Sequence, residues 1–544
     1  MSDGEHPPGP GQPARPAADA AAERRRIRRS TAGFAVATIV SRVAGLVREV
    51  AVAAVFGVSA ALSAFTVAFQ IPNLIRSLVA DAALNASFVP VFSELRERGE
   101  RERAWRVAST VLMVLVVVMI PITVLAAAFA EQVVMVFVSS DFTEVELAAN
   151  LLRIMLPTVL LLGISGIIVG ILNAHDHFSV PALAPIAWNL VIIVGVAIIA
   201  PQLDESVRIH AYAIAVLVGT VVQVLLPIPW LRGRGGRIGL GIDLRDPALR
   251  RILILFVPVT VSLGLVNVQL LVNTYFSTLV PTSLLPGEFT GPAVVDRAFR
   301  LYMLPQGVFS VAVATVAFPA LARLAARADL DGFRSTCADA IRQVWLLLVP
   351  AAALMVAVPE PLVRLLYQHG AFTAEDTVWV SAALRGFAVG LVFAGLSLLL
   401  MRAFFSLQRP RVPMVVAGVS LVVHVVLVAL VHEQWGVLGI TLATSATNAV
   451  GDVLLYLVLR RHLGGLDGRR TLRVVAASTL AAAAAGGATW LAWTALEPMA
   501  AAGLAQLGLA VALVTTACGA TYAIGLHLTG TVPLGRIRHV LLRR

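Results

Sequence analysis

The chain of 544 residues is 58% hydrophobic and only 13% charged, whereas soluble domains contain about 25% charged residues. Because a single globular core stops growing at roughly 250–300 residues, most of this apolar surface must face lipid, and a soluble protein is excluded. The formal charge of +11 does not indicate nucleic-acid binding, since the arginines that produce it occupy short loops between apolar runs.

The first 30 residues are predicted to form a disordered basic cytoplasmic tail (residues 1–30). They are rich in Pro, Ala, Gly and charge and lack the apolar core of a cleaved signal peptide. Beyond this tail, apolar runs alternate with charged or Pro/Gly-rich breaks. These runs predict an all-α polytopic membrane protein of about fourteen transmembrane helices. The helices are expected to begin near residues 31, 61, 104, 146, 178, 209, 250, 290, 334, 374, 411, 436, 470 and 500.

The connecting loops alternate in charge along the chain. One set is basic and comprises residues 96–106, 232–251, 323–335, 409–411, 460–473 and 536–544. The opposite set is acidic or neutral and lies around residues 131–146, 204–205 and 288. Because arginine-rich loops stay on the cytoplasmic side, this alternation predicts a multi-pass protein of the cytoplasmic (inner) membrane with both termini in the cytoplasm.

A weak internal repeat relates the two halves of the chain. Ala68–Pro72 resembles Ala298–Pro305, at an offset of about 230 residues, the size of a six-helix unit. The repeat favours two lobes of six helices each, and chance similarity of proline-containing turns is the alternative. The N-lobe is expected at residues 31–231 and the C-lobe at residues 232–460. Two appended helices are expected at residues 461–530 and a basic cytoplasmic tail at residues 531–544.

Charged residues interrupt the predicted helices 1, 2 and 8: Arg42, Arg48, Glu49, Arg76, Asp81, Asp296, Arg297 and Arg300. An arginine at the centre of a membrane helix costs about 2.5–3.5 kcal/mol on insertion scales, so it normally faces a polar cavity or a partner. The alternative for each arginine is snorkelling to a headgroup or a local ion pair, such as Arg48 with Glu49. Three helices with this pattern favour a shared cavity for an anion, because guanidinium groups bind phosphate and diphosphate bidentately.

Motifs of soluble enzymes are absent from the sequence, including the nucleotide-binding G-x-x-x-x-G-K-[ST]. We therefore expect a transporter, not an enzyme, that uses no cofactor and is driven by a coupling ion (Na⁺ or H⁺) or by the membrane potential. Cys337 and Cys518 lie far apart and support neither a disulfide nor a metal site. His175 and His177 in a short loop are better explained as a solvated turn than as a metal pair.

Five segments resemble the MurJ/MviN lipid II flippase family. The longest runs from Ser41 to Glu94 and contains SRVAGLVREVAVAAVFGVSAALSAF. The others are GILNAHDHFSVPALAPIAWN (Gly170–Asn189), AFRLYMLPQGVFSVAVATVAFP (Ala298–Pro319), LYQHGAFTAEDT (Leu366–Thr377) and RAFFSLQRPRVP (Arg402–Pro413). Together they cover helices 1–12, whereas helices 13 and 14 match in hydropathy only.

The resemblance implies the MATE-like fold of the multidrug/oligosaccharidyl-lipid/polysaccharide exporter superfamily, in which two six-helix lobes surround a central cavity. Helices 13 and 14 would add a hydrophobic groove for a polyprenyl tail. The family's functional cavity arginines align with four arginines of this chain: Arg42, Arg48, Arg76 and Arg300. Supporting or gating roles are expected for the charged residues beside them: Glu49, Asp81, Asp296 and Arg297.

The implied function is translocation of lipid II, the undecaprenyl-diphosphate-linked peptidoglycan precursor, by alternating access. The implied partners are lipid II, membrane lipids and cell-wall synthesis or division proteins, without nucleic acid. Two alternatives stay open: export of a drug or another polysaccharide lipid by the same superfamily, and a non-transporting scaffold for cell-wall synthesis. An arginine-rich cavity disfavours cationic drugs, and a scaffold would have no need of intramembrane arginines.

Three positions depart from the family pattern. Ser63 stands where many members carry an aspartate, so a gate ion pair based on that aspartate is not expected. Met303 replaces an acidic residue of some members near the helix 8 arginine, which leaves no basis for a salt bridge there. Asn273 stands where some members carry an aspartate that resembles a sodium ligand, and the lost charge weakens the case for sodium. With Asn448 and Asp452, Asn273 forms a candidate ion-coupling set.

Overall fold

The structure, a computed structural model, consists of α-helices joined by loops and short turns. It describes residues 17–79, 82–175, 177, 179–234, 236–239, 241–285 and 287–530. The first helices in these ranges are α1 Ala17–Phe56, α2 Ala60–Val79, α3 Ala82–Glu97, α4 Arg101–Ala128, α5 Ala130–Met135, α6 Val145–Met155, α7 Pro157–Ala174, α8 Ser179–Val194 and α9 Glu205–Leu225. The later ones are α10 Pro247–Thr278, α11 Gly291–Pro305, α12 Val311–Ala326, α13 Leu330–Ala357, α14 Pro359–Tyr367, α15 Ala374–Val389, α16 Leu391–Ser406, α17 Arg411–Leu463, α18 Gly468–Ala500 and α19 Leu504–Leu528.

Many of these helices are long and apolar enough to cross a membrane. Within the described ranges there are nine such spans, or ten if the bent pair α15 and α16, with 46° between the two helices, forms one span. The prediction of an all-helical polytopic membrane protein is confirmed. The number fourteen stays a prediction, and one source of the difference is α17, which counts once although it folds back on itself.

Helix α17 turns back at Gly436, whose φ of 53° and ψ of −135° are not helical. The two arms, residues 411–435 and 437–463, run side by side in opposite directions. His424 Nδ1 lies 3.2 Å from Thr447 Oγ1 across this hairpin. The arms therefore correspond to the separately predicted helices 11 and 12.

Replacing Gly436 with alanine is expected to destabilise the hairpin. A side chain at this backbone conformation is strained by about 1–3 kcal/mol, and the new Cβ would lie 3.1 Å from Leu284 Cβ and 3.3 Å from Val280 Cγ1. The free energy of unfolding in detergent should fall by at least ~1 kcal/mol. Gly418→Ala in the first arm is the control, because its Cβ would meet nothing within 4 Å. Equal destabilisation by both substitutions would contradict a strained turn at Gly436.

Buried apolar side chains form two large, separate cores, as expected for a two-lobe bundle. One core includes Leu151 and Tyr212 in the N-terminal half, and the other includes Phe387 and Leu459 in the C-terminal half. Helices α18 and α19 pack on the second core against α13. There Trp345 Nε1 donates a hydrogen bond to Thr479 Oγ1 at 3.1 Å.

Helix α10, which follows the lobe boundary predicted at residue 232, packs with both lobes. Leu249 and Ile252 near its start pack with Trp105 of the N-terminal half, whereas Asn273 near its end bonds to α17. The reason is length, since 32 residues extend about 48 Å at 1.5 Å per residue. The start of α10 therefore packs with the N-lobe and its end with the C-lobe, and the boundary at residue 232 stays a prediction.

Helix α1 begins at Ala17, so the predicted disorder is wrong for residues 17–30. The stretch from Ala17 to Arg29 is rich in alanine, glutamate and arginine, which have high helix propensity. It also continues directly into the apolar part of α1, which removes the cost of nucleating a separate helix. Residues 1–16 and 531–544, also predicted as tails, lie outside the described residues.

Candidate functional site

Charged side chains of α1 and α11 meet between the lobes. Arg48 and Glu49 of α1 form an ion pair, and Arg297 of α11 reaches Glu49, with Nη1 2.8 Å from Oε2. Within α11, Asp296 Oδ2 lies 2.9 Å from Arg297 Nη2. Its other oxygen lies 3.1 Å from Nη2 of Arg300, one helical turn further on. We call these five residues the central cluster.

The central cluster has an excess of positive charge. Its three guanidinium groups share two carboxylates, and Glu49 lies within 4 Å of all three, with Arg300 Nε the farthest at 3.8 Å. The Arg297 side chain is 3% exposed, whereas that of Arg300 is 31% exposed. Arg297 is thus a buried counter-ion for the carboxylates, and Arg300 presents its charge to the space between the lobes. Such an unbalanced cation in a weakly polar interior attracts an anion strongly.

Arg42 and Arg48 extend this positive surface along α1. The Arg48 guanidinium carbon lies 4.6 Å from the centre of the Trp188 ring of α8, a cation–π contact that orients the side chain. Arg42 lies six residues earlier, about 9 Å along the helix axis, and is exposed. Its guanidinium lies against Gly307, in the π-helical turn Gln306–Ser310 that follows α11.

The two lobes are held together at the end of the bundle that carries the acidic loops. The Ser63 hydroxyl of α2 accepts a hydrogen bond from the Ala293 N–H at the start of α11, at 3.2 Å. The Ala371 N–H donates to the Ala54 carbonyl at 2.8 Å, and Ser139 bonds to the end of α10. Ser63 therefore makes a neutral contact between the lobes. Closure at this end leaves the opposite, arginine-rich end as the side where the lobes can part.

Two narrow cavities reach the central cluster. One of about 30 Å³ is lined by Arg48 and Arg300, one of about 20 Å³ by Asn273, and Asp296 lines both. Cavities of this size hold about one or two water molecules each. The lobes must therefore separate before a headgroup can reach these arginines.

The predicted ion-coupling set is divided between two polar groups. Asn273 Nδ2 donates to Thr444 Oγ1 at 3.1 Å, and its Oδ1 lies 2.9 Å from His424 Nε2. Asp452, two turns beyond Thr444, accepts a hydrogen bond of 2.5 Å from Ser397. Asn273 is thus bonded to side chains of both arms of α17, and Asp452 belongs to a different contact with α16.

Sequence reasoning missed His424. His424 is fully buried, and its only signal was a histidine within the apolar run VVHVV. Asn448, the third residue of the predicted set, lies in the second arm of α17. In the described residues, no three His, Cys, Asp or Glu side chains are grouped in a way that could hold a metal ion.

The remaining predicted site residues fall in different places. Arg76 lies in α2, but its side chain, like the whole of Asp81, lies outside what the structure describes. Met303 is 45% exposed, and Arg300 finds its carboxylate one turn earlier, at Asp296. Of the eight charged residues singled out in the sequence, five therefore form the central cluster, and Arg42 lies along α1 from it.

The chain matches known proteins over most of its length. The family profile described as "Lipid II flippase MurJ" matches residues 52–504. The probable lipid II flippase MurJ of Bdellovibrio bacteriovorus is 31% identical over 449 residues, which cover 82% of this chain and 84% of that protein. The lipid II flippase MurJ of Burkholderia cenocepacia is 30% identical over 436 residues, which cover 78% of this chain and 82% of that protein.

Solved structures share the fold. Lipid II flippase MurJ in an inward closed conformation superposes with a TM-score of 0.72 at 23% identity, over 94% of this chain and 99% of that one. An inward-facing MATE family transporter of the MOP superfamily gives a TM-score of 0.66 at 18% identity, over 79% and 96%. The predicted MATE-like fold is therefore confirmed. Since the family profile spans most of the sequence and the relatives cover more than two thirds of it, the chain belongs to the lipid II flippase MurJ family.

Proposed function

We propose that this protein moves lipid II from the cytoplasmic to the outer leaflet of the cytoplasmic membrane by alternating access. The observation that carries the proposal is the excess of guanidinium groups in the central cluster of a chain from this family. Guanidinium is suited to a diphosphate, because its planar donors bind two oxygens at once. The arginine-rich loops support an orientation with both termini in the cytoplasm.

The first step is capture of the headgroup from the cytoplasmic side. When the lobes part at the arginine-rich end, Arg42, Arg48 and Arg300 become available to the diphosphate. Glu49 keeps its contact with the buried Arg297. Its negative charge offsets the repulsion between the arginines of the central cluster while no anion is bound. The lipid tail stays in the hydrocarbon region throughout.

In the second step the lobes close at the arginine-rich end and open at the opposite end. Anion binding neutralises the arginines, so the lobes can close around them without repulsion between like charges. The contacts of Ser63 with Ala293 and of Ala54 with Ala371 break, and the headgroup reaches the outer leaflet. These contacts are short and few, which suits a gate that must open in every cycle.

The tail is proposed to use an apolar groove beside α18. This groove has a volume of about 350 Å³ and is lined by residues of α13, α16, the second arm of α17 and α18, among them Trp345, Leu396, Tyr456 and Leu472. It lies against the C-terminal lobe, where a flexible acyl or prenyl chain can be accommodated without crossing the polar cavity.

The membrane potential is the proposed driving force, with no cofactor. The central cluster together with Arg42 has two excess positive charges when empty, and a bound diphosphate diester, with two negative charges, neutralises them. An inside-negative potential, worth about 2.3 kcal/mol per charge per 100 mV, then favours return of the empty site and does not oppose outward movement of the loaded one. The hydrogen bonds of Asn273 with Thr444 and His424 already occupy the groups that a sodium ion would need.

Growth rescue tests this proposal. A bacterium depleted of its own lipid II flippase should grow when it expresses this protein, and lipid II should become accessible to a reagent that is added outside the cell. Rescue of growth without exposure of lipid II would contradict transport and support the scaffold alternative. Failure of both, with normal membrane levels of the protein, would point to another lipid-linked substrate of the superfamily.

Replacing Gly307 with alanine is expected to reduce transport through Arg42. The alanine Cβ would lie 2.3 Å from Arg42 Nη1, closer than the atoms can approach, so the flexible guanidinium must move away. We expect the rate of lipid II exposure to fall by about tenfold, the effect of losing ~1.4 kcal/mol of binding, while the melting temperature is unchanged. Gly487→Ala in α18, where a Cβ meets nothing within 4 Å, should transport normally. A Gly307→Ala protein with full activity would contradict a role for Arg42.

A further inference from the structure

A second cationic cavity lies at the arginine-rich end of the bundle, outside the central cluster. Its volume is about 530 Å³, and it lies between the end of α3, the start of α4 and the loops that follow α7 and α9. The lining residues that matter here are Phe92, Arg96, Arg101, Trp105, His175 and Arg234. None of them belongs to α1 or α11, so this cavity is separate from the transport site.

The cavity has a rigid aromatic floor. Phe92 and Trp105 are buried and meet edge to face, with ring centroids 6.1 Å apart. The His175 ring lies 5.9 Å from that of Phe92. The loop after α9 rests on this floor, because a Cβ added at Gly236 would lie 2.2 Å from the Trp105 ring.

Hydrogen bonds fix this loop along α4. The Gly239 N–H donates to Ser109 Oγ at 2.9 Å, and the Asp246 carboxylate receives two hydrogen bonds of 2.9 Å from Arg103. Arg103 holds the pKa of Asp246 below its usual range, chiefly through these hydrogen bonds. Gly239 and Asp246, which follow Arg234 in the chain, are therefore fixed on α4.

The carboxylates of this region pair with arginines outside the cavity. Glu94 binds both Arg98 and Arg251, each at 2.6 Å, and Glu100 binds Arg103 at 2.8 Å. In the described part of the chain, by contrast, the cavity arginines Arg96, Arg101 and Arg234 have no carboxylate within salt-bridge distance. The cavity carries one acidic side chain, Glu97 on its exposed rim. The three guanidinium groups thus line a shared space without a carboxylate partner, and Arg234 Nε donates to the Trp230 carbonyl oxygen at 3.2 Å.

The positive charge of the cavity arginines also acts on His175. Its Nδ1 lies 2.8 Å from the Ile171 carbonyl oxygen. The pKa of His175 is lowered, first by burial and then by the charges of Arg96 and Arg234. Arg96 at the end of α3 and Arg234 in the loop after α9 therefore act on the imidazole from two different segments.

We propose that this cavity binds a phosphate-bearing anion at the cytoplasmic face. Arginines on three segments can each offer two donors to phosphate oxygens, and the aromatic floor can contact the non-phosphate part of the ligand. Two sources share this chemistry: a soluble compound with a phosphate or diphosphate group, and the headgroup of an anionic phospholipid of the inner leaflet. Binding would tie together the loops after α3, α7 and α9, the last of which leads into α10.

Inorganic pyrophosphate is the probe for the soluble source. The full-length protein in nanodiscs of phosphatidylcholine, carrying Arg48→Ala and Arg300→Ala so that the transport site is weakened, should bind pyrophosphate saturably. Addition of Arg96→Gln and Arg234→Gln should weaken binding by at least about tenfold. Arg98→Gln is the matched control, because this arginine, two residues beyond Arg96, is paired with Glu94; it should change the affinity by less than about twofold.

Native mass spectrometry tests the lipid source. Protein from nanodiscs with equal parts of phosphatidylcholine and phosphatidylglycerol should retain phosphatidylglycerol if a lipid headgroup is the ligand, and Arg96→Gln with Arg234→Gln should abolish this retention. Arginine-dependent binding of either probe supports the proposal and identifies the source. Binding of neither probe, or binding unchanged by the two substitutions, overturns it. Both readouts are independent of lipid II transport.

Discussion

Replacement of Arg300 by alanine is expected to abolish growth rescue of a flippase-depleted bacterium, with the protein still present in the membrane at the wild-type level. Arg300 is the most exposed arginine of the central cluster, and its loss leaves Glu49 and Asp296 paired with Arg297. Removing one charge-assisted contact to a diphosphate costs about 1.5–3 kcal/mol, which corresponds to a loss of roughly 10-fold to more than 100-fold in affinity for the captured headgroup.

Two substitutions make this result specific. Arg323→Ala is the matched control, since Arg323 is an exposed arginine of α12, in the same membrane span as Arg300; it should rescue growth fully. Arg300→Lys keeps the charge but not the planar pair of donors, so we expect partial rescue. Full rescue by well-expressed Arg300→Ala would show that the cluster is not an anion site, and the scaffold alternative would then become the better explanation.

The free-energy cost of burying charge is what made the central cluster predictable. Arg48, Asp296 and Arg297 stand in apolar runs, where an unpartnered charge is expensive, so the sequence alone indicates that they face a polar space. The sequence does not indicate the partners. A local pair of Arg48 with Glu49 was an open alternative, and it exists, but Glu49 also bridges to Arg297 of another helix. That contact depends on how α1 packs against α11.

The prediction of a disordered tail fails at residues 17–30 for a similar reason. That prediction rests on composition, whereas the neighbouring residues form a helix, which lets Ala17–Arg29 continue as helix at little cost. The helix after the lobe boundary predicted at residue 232 is long enough to pack with both lobes. Local composition predicts neither the helical continuation of α1 nor the packing of α10 with both lobes.

The hydrogen-bond partners of Asn273 show most clearly what the sequence does not predict. Its partners His424 and Thr444 lie more than a hundred residues further along the chain and on opposite arms of the α17 hairpin. Only the turn at Gly436 brings those arms together. A single histidine in an apolar run gave no indication of this arrangement, since its partners are set by tertiary packing.

Replacement of Glu49 by alanine should have the largest effect on stability. Glu49 is buried and is the shared counter-ion of Arg48, Arg297 and Arg300. Removing one partner of a buried ion pair leaves uncompensated charge and destabilises a protein by about 3–5 kcal/mol. The measurement is the free energy of unfolding of the purified protein in detergent, followed by tryptophan fluorescence. We expect a clear loss of stability and a lower yield in the membrane.

Two further experiments separate the effect of burial on stability from the effect of removing a charge. Glu131→Ala removes the same type of side chain from its exposed pair with Arg153, at 3.3 Å, and should cost less than about 1 kcal/mol. Replacing Arg297 by methionine together with Glu49→Ala should be less destabilising than the sum of the two single substitutions, because the pair is then removed as a unit. If Glu49→Ala cost no more than Glu131→Ala, the arginines would have to be solvated in the native state, and the lobes in solution would stand further apart than their contacts at Ser63 and Ala54 allow.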